Sequence, residues 1–280
     1  MSLASFTVTG LASAAPLFSI DGASPSVPGV TPEEVLSPGP LVVGTPCGFA
    51  TGLGVPDELD ALTCGVLDPG VLAFSVDRAS LGAAGSAVLG EAGLGQAAAD
   101  VYLSDLLGSN LLLTNQAAFG LVPLIAAGLP APPPPPGIDN VDALDLVQDG
   151  FGPLFSVSSA NSLGVSGADI LAPGPGPLIL APGLGLVAAD DIDALQAVPF
   201  GEATALLFSL APGSPSLGAD SPADIFISVP GSGAFALFAT ASDLGLLATD
   251  NVDALGAPIP EPSTLWLMAL GLALLARRRR

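Results

Sequence analysis

"IDNVDAL" (138–144) and "TDNVDAL" (249–255) differ only in their first residue. Two looser copies, "PDELDAL" (56–62) and "DDIDAL" (190–195), complete a set of four acidic boxes ending in Asp-Ala-Leu. A Phe-Ser segment also recurs, at "LFSID" (Phe18), "AFSVD" (Phe74), "LFSVS" (Phe155) and "LFSLA" (Phe208). Further landmarks lie between them. "SLG" recurs at Ser80, Ser162 and Ser216, and "AADVYLS" (98–104), "GADIL" (167–171) and "PADIFIS" (222–228) align, with "PEEVLS" (32–37) as a weaker copy. Several landmarks in one order, four times over, define an internal repeat, and a repeat of this length cannot bury its apolar face alone.

The segments between the landmarks decide which kind of repeat. "LLFSL", "DIFISV" and "FALFAT" are short, rich in Phe, Val and Ile, and bounded by Gly, Pro, Ser or Asp, which predicts strands. With 35 Gly and 29 Pro, long helices are excluded and the apolar content must go into short elements. The expected fold is all-β, either a small propeller of about four units, which is preferred, or a stacked β array, plus one short C-terminal hydrophobic helix. The predicted layout is an apolar N-terminal segment (1–17), a repeat domain (18–257) with units of about 18–62, 74–144, 155–195 and 208–255, and a separate tail (258–280). Residues 170–189 are uncharged over the length of a membrane span, but four Pro and four Gly rule out a lipid-exposed helix there. They read as part of a repeat unit.

Charge narrows the function. The net charge is −21, and apart from Arg277, Arg278, Arg279 and Arg280 the only basic residue is Arg78. So acidic a body repels phosphate backbones, which excludes nucleic acid as a partner. The chain has no His, so the usual general base and the usual transition-metal ligand are both missing. Cys47 and Cys64 are too few for a zinc site. They read as one disulfide in an exported chain, or as two buried thiols in one that is not exported. The N-terminus, "MSLASFTVTGLASAAPLF", has an Ala-Ser-Ala site but no positive n-region. It is either an unusual signal or the first strand, with a signal lying upstream of this start. The second is preferred, because the stretch also reads as part of the repeat.

Chemistry has few candidates. Asp190, Asp191 and Asp193, and likewise Asp250, Asn251 and Asp253, could turn oxygens towards one hard cation such as Ca2+. Neither box continues into an EF-hand loop. The alternative is that they form Asx-type turns leading into strands, and this reading is preferred. No Gly-x-Ser-x-Gly elbow occurs, a His-dependent triad is excluded, and Trp and Tyr occur once each, leaving little to stack a sugar. The chain therefore reads as non-enzymatic. A Ca2+- or carbohydrate-binding propeller is the alternative, and a His-free hydrolase using two carboxylates is weaker still.

The tail has three parts. Pro260, Glu261 and Pro262 form a rigid extended tripeptide, Leu265–Ala276 is unbroken apolar or small, and four Arg close the chain. Twelve helical residues span about 18 Å, against about 30 Å of hydrocarbon. The helix is too short for a comfortable permanent span, and the Arg cluster would hold the C-terminus in the cytoplasm. A simple tail anchor and a docking helix are the competing readings. In this order the three parts resemble the PEP-CTERM sorting signal of Gram-negative bacteria. The resemblance implies recognition and processing by exosortase, a transpeptidase-like membrane enzyme, in species that make exopolysaccharide or biofilm matrix. It also implies at least transient membrane attachment and a final place in the envelope or matrix. The body is similar to Phe-Ser/Asp-Ala-Leu repeats of exported bacterial proteins, a likeness that implies a fold and a compartment and no reaction.

Overall fold

The computed structural model describes residues 16–22, 24, 30–32, 34–38, 41–42, 57–64, 72–104, 110–121, 139–146, 153–174, 176–200 and 203–256. Residues 1–15, Cys47, the proline run 132–136 and the whole tail, with Pro260, Glu261, Pro262 and Arg277–Arg280, lie outside the described residues. Strands β1 (Leu17–Ile20), β2 (Leu36–Ser37) and β3 (Leu41–Val42) come first. Next are β4 (Leu59–Cys64), β5 (Leu72–Val76), β6 (Val101–Ser104) and β7 (Asn110–Thr114). They are followed by β8 (Ala143–Asp145), β9 (Leu154–Ser156), β10 (Ile170–Leu171) and β11 (Pro177–Ile179). The last are β12 (Ile192–Phe200), β13 (Ala203–Leu210), β14 (Ile225–Ser228), β15 (Phe235–Ala239) and β16 (Val252–Gly256).

These strands make four four-stranded antiparallel sheets, in the orders β16-β1-β2-β3, β4-β5-β6-β7, β8-β9-β10-β11 and β12-β13-β14-β15. The sheets are the blades of a four-bladed propeller, numbered here one to four in that sequence. Strands β16, β4, β8 and β12 are innermost and pack against one another around the central axis. The uncharged stretch 170–189 falls on β10, β11 and a short helix, Ala181–Leu184, inside blade three. Blades and sequence repeats are out of phase by one strand. Each Asp-Ala-Leu strand pairs with the Phe-Ser strand that follows it, and the last box returns to pair with the first Phe-Ser strand.

The landmarks explain themselves in this register. In every blade the Phe stands opposite the Leu of the box: Phe18 with Leu255, Phe74 with Leu62, Phe155 with Leu144 and Phe208 with Leu195. All eight side chains are buried. The apolar clusters then form between blades rather than within them, one at each of the four interfaces. Blade two supplies Phe119 and blade three Phe155 to one of these, with the ring centres 4.8 Å apart. An isolated blade would leave such faces in water, so the blades are stable only as a set.

The Ser of each Phe-Ser pair has a different task. Its hydroxyl crosses to the inner strand of the next blade and donates to the carbonyl of the residue before the axial Asp. Ser19 reaches Leu59 O (3.2 Å), Ser75 reaches Val141 O (2.7 Å), Ser156 reaches Ile192 O (3.0 Å) and Ser209 reaches Val252 O (2.7 Å). The N–H of those same four residues donates back to the preceding blade, at Pro32 O, Ala98 O, Gly167 O and Pro222 O. Each inner strand is thus gripped at two atoms by its neighbour, and the set closes on itself. Each Ser is fully buried, so no water replaces the lost donor in a Ser→Ala variant. Ser209→Ala is expected to cost about 1 kcal/mol in urea unfolding. A double variant at non-adjacent interfaces, Ser75→Ala with Ser209→Ala, is expected to cost about the sum.

Candidate functional site: the axial carboxylate ring

Each box divides its acidic residues between two jobs. The first carboxylate locks a turn of its own blade. Asp57 accepts from Leu81 N (2.6 Å) and Gly82 N, and Asp139 from Ser162 N (2.6 Å) and Ser162 Oγ (2.6 Å). Asp190 accepts from Val187 N (2.7 Å), Ser216 N (2.8 Å) and Ser216 Oγ (2.5 Å), and Asp250 from Leu247 N (2.7 Å). These donors belong to the "SLG" segments and to the residues just before the boxes, and the Asx-type reading describes this position.

The last Asp of each box, just before Ala-Leu, does something else. Strand pairing skips one residue between Leu59 and Ala61, between Ile192 and Ala194, and between Val252 and Ala254. Asp60, Asp193 and Asp253 are therefore β-bulge residues, and Asp142 stands immediately before β8. A bulge takes a residue out of the ladder and re-aims its side chain. Here it turns three carboxylates towards the axis, where Asp142 of blade three joins them.

Two amides tie the ring. Asn140 Nδ2 donates to Asp60 Oδ2 of the neighbouring blade (2.5 Å) and to Asp142 Oδ1 of its own strand. Asn251 Nδ2 donates to Asp193 Oδ2 of the neighbouring blade (2.8 Å) and lies 3.5 Å from Asp253 Oδ1. The two remaining blades carry acids at the equivalent place, Glu58 and Asp191, and these turn aside: Glu58 accepts from Gly22 N and Asp191 from Ser159 N (3.1 Å). The ring therefore has the symmetry of two opposed amides and two opposed acids. Asn140 and Asn251 are 6% and 5% exposed, and Oδ1 of each is buried without a hydrogen-bond partner. Arg78, on blade two, reaches across to Ser158 Oγ and Ala160 O (3.2 Å) of blade three and lends its charge to Asp191.

Burial and mutual repulsion set the electrostatics. Loss of hydration is the largest cause holding Asp60, Asp142 and Asp253 well above the usual carboxylate range, and the neighbouring carboxylates add to it. Asp193 is pushed up to about 7 for the same reasons, partly offset by the Asn251 amide. Glu58 and Asp191 are raised as well, chiefly by burial.

Of the residues expected to hold a cation, the structure brings Asp193, Asn251 and Asp253 together and leaves Asp190 and Asp250 at turns. Asp191 lies at the rim. Among the described residues, no three His, Cys, Asp or Glu side chains form a cage for a metal ion as they stand. Asp60, Asn140 and Asp142 were missed as partners, although the same box position in four units of a closed ring must meet on its axis. Cys64 ends β4, while Cys47 is outside the described residues.

Four antiparallel sheets closed around an acid-lined axis define a four-bladed β-propeller. Beyond the last strand, residues 258–280 match the PEP-CTERM protein-sorting motif. That motif marks a protein that is exported and sorted at the membrane by exosortase. No curated protein and no solved structure matches the chain at a significant level. Among the described residues no helix is long and apolar enough to cross a membrane.

Proposed function

We propose that this chain is a non-catalytic repeat protein of the cell envelope or extracellular matrix, delivered there by its C-terminal signal. The observation that carries the reading is the junction at residue 257: the propeller closes with β16 at Gly256, and the PEP-CTERM motif begins at residue 258. The four described sheets are complete by Gly256, and the tail that follows can serve as an address that exosortase reads and processes. The apolar segment 265–276 with its Arg cluster would hold the chain in the membrane until then, with exopolysaccharide as the matrix partner.

The interior supports a non-catalytic role. The hydroxyls of Ser19, Ser75, Ser156 and Ser209 are used between blades, and Tyr102 is buried with its hydroxyl on Ala97 O (3.2 Å). A cavity of about 290 Å3 beside Phe119, Phe155 and Leu171 is lined by apolar residues and glycine, with no titratable group. Among the described residues, Tyr102 and the rings of Phe18, Phe74, Phe155, Phe208 and Phe226 are fully buried, which weakens the carbohydrate reading. The Ca2+ reading keeps one specific support, the axial ring.

Intact-mass measurement of the protein recovered from the envelope or medium of an exosortase-bearing host tests the sorting reading. The expected mature chain lacks Arg277–Arg280. A mature chain still ending in the four Arg would refute processing and leave a simple tail anchor.

A further inference from the structure

We propose that the axial ring is a binding site for one hard divalent cation of the Ca2+ class, shared by all four blades. The ligands are the carboxylates of Asp60, Asp142, Asp193 and Asp253 and the amide oxygens of Asn140 and Asn251. The site is assembled across the propeller, unlike a cation held within a single acidic box.

Three observations meet here. First, carboxylates from all four blades converge on one axis, three of them placed there by a repeated bulge and Asp142 by its position just before β8. Asp60 and Asp142 are buried and Asp193 and Asp253 half-buried. Like charges so placed are costly unless a counter-charge accompanies them, and the body's only cation, Arg78, bonds at the rim to the 158–160 loop. Second, Asn140 and Asn251 each bury an unpartnered Oδ1 on an amide whose Nδ2 faces the ring carboxylates. A half-turn of each amide exchanges Nδ2 for Oδ1 and leaves only oxygen atoms facing the axis. The amide hydrogen bonds thus account for the lack of a ready cage: they hold the carboxylates in two pairs where a cation would hold all four. Third, the donor set is oxygen only. That suits Ca2+, which takes six to eight oxygens in adaptable geometry. It disfavours zinc, for which His and thiolate ligands are absent from the ring. Mg2+, which keeps its waters and demands a regular octahedron, fits a ring of long-separated strands less well.

Such an ion would hold the innermost strands of all four blades at one point. The inference does not depend on the sorting motif, so its failure would leave that reading intact.

The test uses the full chain in mild detergent, stripped with EDTA at pH 7.5 and titrated with Ca2+ by calorimetry and thermal melting. The expected result is one Ca2+ per chain and a Tm rise of several degrees at 1 mM Ca2+, with a smaller rise for Mg2+. Asp60→Asn with Asp193→Asn is isosteric and removes two of the repelling charges. It is therefore expected to fold, to melt higher than the wild type in EDTA, and to lose the Ca2+ response. Asp220→Asn, on the exposed surface, is expected to keep it. No heat and no Tm shift at millimolar Ca2+ overturns the proposal. So does a stoichiometry well above one, or a ring variant that responds like the wild type, since either would place the ions on surface carboxylates.

Discussion

In EDTA, the protein is expected to melt at higher temperature at pH 5 than at pH 8, the reverse of the usual acid sensitivity. The sign follows from the ring. An unfolded Asp titrates near 3.9, while folding holds Asp193 up at about 7 and Asp60, Asp142 and Asp253 well above the usual range, mainly through lost hydration. Between those limits the folded state binds more protons than the unfolded one, so stability falls as pH rises. The contribution is fully present below about pH 4 and is lost through pH 7 and above. The groups facing the ring, Glu58, Asp191, Asp21 and Asp77, are acidic and push in the same direction. Arg78 opposes them only at Asp191. The exposed Asp243, held low by Thr240, opposes the trend weakly. Each tenfold change in proton affinity between the folded and unfolded chain is worth about 1.4 kcal/mol, so Asp193, held at about 7, contributes on the order of 2.5–3 kcal/mol between pH 5 and pH 8, and the other three carboxylates add in the same direction. At roughly 2–4 °C per kcal/mol the Asp193 contribution alone is a Tm difference of roughly 5–10 °C. Melting curves at pH 5, 6, 7 and 8 decide it, with Asp193→Asn expected to flatten the slope. A Tm that is level or rises towards pH 8 would remove the ring as the dominant titrating group.

The second large effect concerns closure. A chain ended after Gly256 is expected to keep a cooperative melt, whereas one ended after Asp250 is expected to lose it. Strand β16 buries Val252, Ala254 and Leu255, supplies Asp253 and pairs four residues with β1. Its apolar burial alone is worth about 4–5 kcal/mol, at about 1.5–3 kcal/mol for each of the larger side chains. The bonds from Ser209 Oγ to Val252 O and from Val252 N to Pro222 O go with it. The sum approaches the whole stability of an ordinary domain, about 5–15 kcal/mol. Circular dichroism melts of the two truncations read this directly. A sharp transition in the shorter chain would mean that blade one closes without its inner strand.

Much of this was legible in the residues. The Phe-Ser segments are β1, β5, β9 and β13, and the Asp-Ala-Leu boxes run into β4, β8, β12 and β16. Alternation and Gly/Pro punctuation are local signals, and they carried the strands and the repeat count. The phase of the repeat was not local. Nothing near Leu255 says that it will stand opposite Phe18, because that pairing exists only once the ring has closed. The same non-locality misdirected the reading of the boxes. Asp190, Asp191 and Asp193 are neighbours in the chain, yet Asp190 faces a turn, Asp191 the rim and Asp193 the axis, since a bulge separates what sequence proximity suggests belongs together. The Ser of Phe-Ser was visible as a landmark, but its partner lies one blade away and the strand pattern cannot point to it.

The closing strand also fixes where force enters the molecule. Leu17 lies opposite Gly256, so the first described strand and the point from which the tail departs are neighbours in one sheet. A pull applied through an attached C-terminus falls first on β16, against the β1 ladder and the Ser209 and Pro222 contacts with blade four. In this geometry the seam that closes the propeller is also its mechanical fuse: under load the body would open at blade one, while the other three sheets stay out of the line of tension.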